Sequence, residues 1–235
     1  MKILLMQLLL ITSTAVSFAQ YNAFNCISME METKTAKGGF VSATEANIFY
    51  GNDGRMTSFY TAPKKYIVLN NAKGEIKIYD QDKNTVIQQQ NYLYSTETSQ
   101  FYFFLNNKKS DLGLQQMGFI QSNVSFDEGL MITEWLPPAN MASQVSKVEL
   151  VLEDGNPIYI AYYDANNKVT TKSYYYNYIE LNQSLNFPST ITQINYSTPV
   201  DSTVSKTVYS NVQLDKKEGM ESLNFQIPKD AKNIQ

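Results

Sequence analysis

The 235-residue chain has no histidine, a single cysteine (Cys26), and charged side chains at only 17% of its positions. Without histidine, neither a Ser-His-Asp nor a Cys-His catalytic arrangement can be built, and no imidazole is available to bind zinc or iron. One cysteine closes no internal disulfide and makes no thiolate cluster. Cys26 reads instead as a small buried thiol in the first strand. The 19 basic residues are outnumbered by 22 acidic ones, giving a net charge of −3 and no electrostatic footprint for nucleic acid. Phosphate-cradling glycine loops and a GxSxG elbow are missing as well. No cofactor is implied, and the chain reads as a non-enzyme.

What is present begins with an export signal. Met1-Lys2 is followed by an apolar run from Ile3 to Ile11, and Ser17 and Ala19 occupy the −3 and −1 positions of a cleavage site before Gln20. The run is too short to span about 30 Å of hydrocarbon. Cys26 lies beyond the cut, which argues against a lipidated N-terminus. The expected organisation is a signal peptide over 1–19 and a single domain over 20–235, located in the periplasm, with no transmembrane segment in the mature chain.

Beyond the signal, strand patterns dominate. Ile27-Ser-Met29-Glu-Met31-Glu alternates apolar and polar residues at period two, the mark of a strand with one wet face. Further strands are expected at 40–50, 55–61, 66–70, 75–79 and 85–90, separated by turns such as Gly51-Asn52-Asp53-Gly54. Alternation then lapses. Segments 95–105 and 111–118 suit one or two short helices, although Phe101-Tyr102-Phe103-Phe104 would also serve as a strand. Strands resume at 120–126 and 130–136. After the Pro137-Pro138 connection, a meander is expected over 147–152, 158–163, 168–181, 190–196, 206–214 and 223–227. The expected fold is mainly β: one strongly curved antiparallel sheet, with short helices closing one side.

Few residues suggest chemistry. Asp80-x-Asp82-x-Asn84 starts like a calcium loop, but Thr85 and Asn91 stand where an EF-hand needs glycine and glutamate, so a solvated turn is expected. Glu30 and Glu32 share the wet face of a strand, which makes carboxylate hydrolysis the weakest reading. Tyr174, Tyr175, Tyr176 and Tyr178 are ordinary strand residues that would also suit sugar stacking. Methionines 29, 31, 56, 117, 131, 141 and 220, with many aromatics, fit an adaptable apolar pocket or a plain core.

Three segments then have a familiar order. Gly54-Arg-Met-Thr-Ser-Phe-Tyr-Thr-Ala-Pro63 is followed by Tyr66-Ile-Val-Leu-Asn-Asn and by Lys73-Gly-Glu-Ile-Lys-Ile-Tyr79-Asp80. Ile191–Tyr196, Lys206–Asn211 and Phe225-Gln-Ile-Pro228 close the chain. Together with the export signal, they resemble the periplasmic outer-membrane lipoprotein carriers, the LolA/LolB-like group, over about half of the sequence. The resemblance implies an incomplete, strongly curved antiparallel β-barrel whose open side is covered by short helices, with lipoprotein acyl chains held in an apolar cavity beneath them. It further implies an inner-membrane release complex and an outer-membrane acceptor as partners.

Two features depart from the family pattern. Only Gln20–Asn25 precede the first strand, where carriers place an amphipathic helix. The base that latches the lid should fall near Asn52, whereas the nearest is Arg55. By alternation the residues expected to line the cavity are Ile27, Met29, Met31, Phe59, Ile76, Ile78, Ile158, Ile160 and Tyr162, with Phe101, Phe104 and Met117 from the lid. A one-residue slip in register would reverse any of the strand assignments. The competing expectation is an exported structural or interaction protein with a filled core, binding through an edge or a loop such as Pro137–Ser146.

Overall fold

A computed structural model describes residues 24–182, 185–198 and 201–234. The expected export signal and its cleavage point lie outside them. The chain runs through β1 Cys26–Lys37, β2 Phe40–Gly51, β3 Met56–Ala62, β4 Tyr66–Asn70, β5 Glu75–Asp80 and β6 Thr85–Gln90. It then passes through two 3-10 turns, Tyr92–Tyr94 and Thr96–Thr98, and the short helix α1, Gln100–Leu105. Next come β7 Ile120–Asp127, β8 Leu130–Leu136, β9 Val145–Glu153, β10 Asn156–Asp164, β11 Val169–Asn182, β12 Leu185–Thr198 and β13 Asp201–Leu214. Helix α2, Lys217–Leu223, and a two-residue strand, β14 Lys232–Asn233, complete the described elements.

All of these strands belong to one sheet, ordered β14-β6-β5-β4-β3-β2-β1-β13-β12-β11-β10-β9-β8-β7. Two antiparallel meanders are joined where β1 pairs with β13, Ile27 opposite Leu214 and Lys37 opposite Thr203. The Asp215 carboxylate fastens that seam by accepting hydrogen bonds from the backbone N–H groups of Asn25 (2.7 Å) and Cys26 (2.9 Å). Turn chemistry accounts for the tight hairpins. Glu128-Gly129 (φ 47° and 89°) and Asp154-Gly155 (φ 47° and 73°) place two successive residues in the left-handed region, as a two-residue turn matching strand twist requires.

Strands β6 and β7 lie towards opposite ends of the sheet order, so the sheet does not close on itself. The segment that joins them, residues 91–119, crosses the concave face and packs there. This crossover supplies Phe101, Phe104, Leu105, Leu112, Leu114 and Phe119 to a core whose sheet side includes Ile27, Ile48, Tyr50, Tyr175, Phe187, Ile191 and Tyr209. An incomplete, strongly curved antiparallel barrel with short helices over its open side is therefore the architecture, as the sequence led us to expect. No helix among the described residues is long and apolar enough to cross a membrane.

Several local expectations need correcting. Residues 111–118 form a chain of turns rather than a helix, with Leu112 (φ 46°) and Gly113 (φ 81°) both left-handed. The stretch 223–227 is not a strand: α2 ends at Leu223, and the chain continues irregularly over the outer face of β3 and β5. Strands β12 and β13 are also longer than alternation suggested. Pro188 lies within β12 opposite Tyr178 and does not end it.

Candidate functional site

The crossover is pinned at its start by hydroxyls. Thr96 Oγ1 donates to the Gly54 carbonyl at 2.6 Å, and Ser95 Oγ donates to the Ala72 carbonyl at 2.7 Å. Ser99 then caps α1, its Oγ accepting from the Tyr102 N–H at 3.3 Å. Arg55 takes no part in this latch. Its guanidinium is held by Asp53 at 2.6 Å and by the Asn224 side chain at 2.9 Å, and so faces the C-terminal segment. The crossover is tied down here by the two hydroxyl bonds to the Gly54 and Ala72 carbonyls, without a base.

The i, i+3 spacing of Phe101 and Phe104 puts both rings on one face of α1. Phe101 stacks on Phe187 (centroids 6.0 Å apart) and meets Tyr209 edge-on at 5.5 Å; Phe104 packs on Tyr175 at 5.3 Å. Phe103 points elsewhere. It lies against Gly113, where a Cβ would stand 2.4 Å from its ring, so only glycine lets the following turns lie so close.

Beyond Phe103 the crossover and sheet part, leaving a pocket of about 510 Å³. Tyr92, Leu93, Gln100, Phe103, Leu112 and Met117 line it from the crossover; Ile160, Tyr162, Thr171, Ser173, Tyr175 and Gln193 line it from β10, β11 and β12. Leu93 and Met117 are 78% and 45% exposed at its rim. Burial pushes the phenols of Tyr162 and Tyr175 above the ordinary tyrosine range, so both are neutral donors at any physiological pH. Glu97 carries the sole carboxylate in the lining. A pocket so lined can bury an alkyl chain, and it holds no pair of acids for proton transfer. Among the described residues no group of three or more Cys, Asp and Glu side chains is placed to hold a metal.

The expected lining residues divide into several groups. Met117, Ile160 and Tyr162 line the pocket. Ile27, Met29, Phe101 and Phe104 are buried in the packed core, with Met31 at its margin. Strand register places Ile76 and Ile78 on the concave face, opposite Asn70 and Val68, but towards the β5 flank and away from the pocket. Phe59 is on the opposite face, where its ring meets Phe49 at 5.7 Å and Phe225 at 5.5 Å. Ile158 falls at a β-bulge between Pro157 and Tyr159, which breaks the alternation that would have grouped it with Ile160.

The sequence reasoning missed Tyr92, Leu93, Phe103 and Leu112, and the polar Thr171, Ser173 and Gln193. Phe103 was legible from the α1 wheel, being out of phase with Phe101 and Phe104. The polar residues gave no signal, because a polar position in a strand is ordinarily assigned to solvent.

The remaining candidates have structural explanations. Asp80 and Asn84 build a turn, with Asp80 Oδ1 accepting from the Lys83 N–H at 3.1 Å and Asn84 Oδ1 from the Tyr79 hydroxyl at 3.0 Å. Glu32 pairs with Lys34 at 2.8 Å, and Glu30 accepts from Asn211 at 3.2 Å. Of the tyrosine run, Tyr175 is in the core, Tyr178 packs at its margin and Tyr174 stands on the other face beside Tyr159 (5.2 Å).

By sequence the chain matches no family model and no curated protein. Its structure is similar to a domain from Vibrio parahaemolyticus described as outer-membrane lipoprotein-sorting, with a TM-score of 0.57 and 12% identity over 85% of this chain and 89% of that one. A DUF1329 family protein from Desulfovibrio piger gives 0.56 and 12%, over 83% and 88%. A LolA superfamily protein from Nitrosomonas europaea gives 0.53 and 10%, over 83% and 88%. At such identities the likeness establishes the fold alone: this chain shares the overall fold of these three structures.

Proposed function

We propose that this protein is an exported, periplasmic carrier that holds an acyl chain of a lipoprotein or related lipid in the pocket between the crossover and β10–β12. The observation that carries this reading is the pocket itself, about 510 Å³ and lined largely by apolar side chains. That volume lies within the usual range for small-molecule sites, roughly 300–1,000 Å³. Each methylene moved from water into such a lining contributes about 0.8 kcal/mol, so a modest stretch of chain suffices for firm binding. Met117, Ile160 and Tyr162 are the contact residues; Ile27, Met29, Phe101 and Phe104 support them from the packed core. In this reading the single domain begins near Gln20, and the protein exchanges cargo between an inner-membrane release complex and an outer-membrane acceptor rather than altering bonds.

Native mass spectrometry with a palmitoylated peptide tests the reading. A one-to-one adduct is expected, absent for the same peptide without its acyl group. No adduct with the acylated peptide would overturn it. A filled-core interaction protein is the competing reading, and one observation favours it: β7 is exposed at every residue, including Phe126 at 75%. It predicts no acyl adduct at all.

A further inference from the structure

The concave face does not end at the pocket. Register continues it across β12, β13, β1 and β2 in rows that change from apolar to hydroxylated. One row runs from Ser173 through Gln193, Ser205 and Thr35 to Ser42; its neighbour runs from Thr171 through Asn195 to Thr203. These groups already hold one another in place. Thr35 and Ser205 are 3.0 Å apart, and the Asn195 side-chain oxygen accepts from Thr171 Oγ1 at 3.0 Å and from Gln193 Nε2 at 3.1 Å. Each hydroxyl so engaged keeps further acceptor capacity, and the amides of Gln193 and Asn195 keep free N–H donors. Two of the lysines on these strands alternate to the opposite face, where Lys172 lies over Tyr174 and Tyr196 and Lys34 pairs with Glu32, while Lys37, opposite Thr203, lies at the far side of the second row. Thr171, Ser173 and Gln193 belong both to this polar shelf and to the pocket wall.

We infer that the shelf seats the uncharged, hydroxyl- or amide-bearing headgroup of a single-chain amphiphile whose alkyl tail fills the pocket. The inference rests on the acyl-binding reading and narrows it. A methylene occupies about the space of a liquid water molecule, roughly 30 Å³, so about 510 Å³ takes on the order of 17 such groups, one long chain rather than several. A carboxylate or phosphate headgroup seated beside Thr171 and Gln193 would lie among neutral dipoles, with Lys37 three strands away from Thr171 along its row, at a desolvation cost that a glycerol or amide headgroup avoids.

Two probes with the same tail separate the seat from the pocket: 1-monolauroylglycerol and laurate, titrated calorimetrically at a pH where laurate is ionised. Monolauroylglycerol is expected to bind one to one, about tenfold tighter than laurate. The double variant Asn195→Leu/Ser205→Ala, at two shelf positions outside the pocket wall, is expected to weaken monolauroylglycerol about tenfold and leave laurate unchanged, with retained laurate binding as its control for folding. Laurate binding as tightly as monolauroylglycerol, or a variant that weakens both probes equally, overturns the seat and leaves the pocket standing. Should neither probe bind, the acyl-binding reading falls and the seat with it.

Discussion

The crossover meets the sheet in two ways within a few residues. Around Phe101 and Phe104 it is packed ring against ring, and Phe104 and Leu114 are fully buried. Around Phe103 and Met117 it stands off the same face, over Ile160 and Tyr162. What separates the regions is mainly helix phase and backbone, because both are rich in aromatics and methionine. Phe101 and Phe104, three apart on α1, point into the core, whereas Phe103 between them faces the pocket. Two left-handed residues, Leu112 and Gly113, then turn the chain before it can pack again. Packing is thereby concentrated in one part of the interface, leaving the other open as a pocket.

That contrast can be broken most forcefully at its packed end. Phe104→Ala is expected to cost about 3–5 kcal/mol in denaturant unfolding, as truncation of a buried ring does. Phe103→Ala should cost less than half as much while weakening laurate binding. Equal losses of stability would erase the distinction between the two regions.

Alkaline titration sharpens it next. Burial pushes the Tyr50 phenol, which stacks against Phe101, up to about 12 from the usual 10. Because the folded state holds this proton more tightly, its contribution is complete below about pH 10 and is lost as pH rises through about 12. The amount at stake is on the order of 2 kcal/mol, which Tyr50→Phe should remove from the alkaline limb of the stability profile. With no histidine in the chain, no histidine step is expected between about pH 5 and 8. An unchanged alkaline limb in Tyr50→Phe would place the titrating groups elsewhere.

The latch comes third. Thr96→Val leaves the Gly54 carbonyl without its donor and should cost about 1–3 kcal/mol. Backbone amides of residues 95–105 should then exchange with deuterium faster than those of β11, and uniform acceleration would mean that the crossover does not open separately. The smallest effect on stability belongs to the rim: Met117→Lys should stay within about 0.5 kcal/mol of the parent while lowering acyl affinity.

These particulars also show what the sequence could disclose. Alternation along Ile27–Glu32 and the turn at Glu128-Gly129 made the strands legible, and the lapse of alternation at 95–118 marked the crossover. The same signal misled at 223–227, where Leu223, Phe225 and Ile227 alternate without a partner strand because Phe225 packs on the rings of Phe59 and Tyr79. Period two says which residues share a face and leaves open which face is concave, so Phe59 was grouped with residues it never meets. The bulge at Ile158 is set by pairing with β9, a contact no local pattern carries. Thr171 and Gln193 gave no signal as polar strand positions, because nothing local shows that the face they share lines the pocket inside the curl.

Binding of lauroylated peptide to the parent and to Thr171→Trp, followed by calorimetry, tests the central claim most directly. Strand positions accept aromatic residues, so an indole at Thr171 should fill the pocket without unfolding the sheet. The account predicts one-to-one binding to the parent and its loss in the variant, with both proteins unfolding at the same denaturant concentration. No binding to the parent, or undiminished binding to the variant, would contradict it.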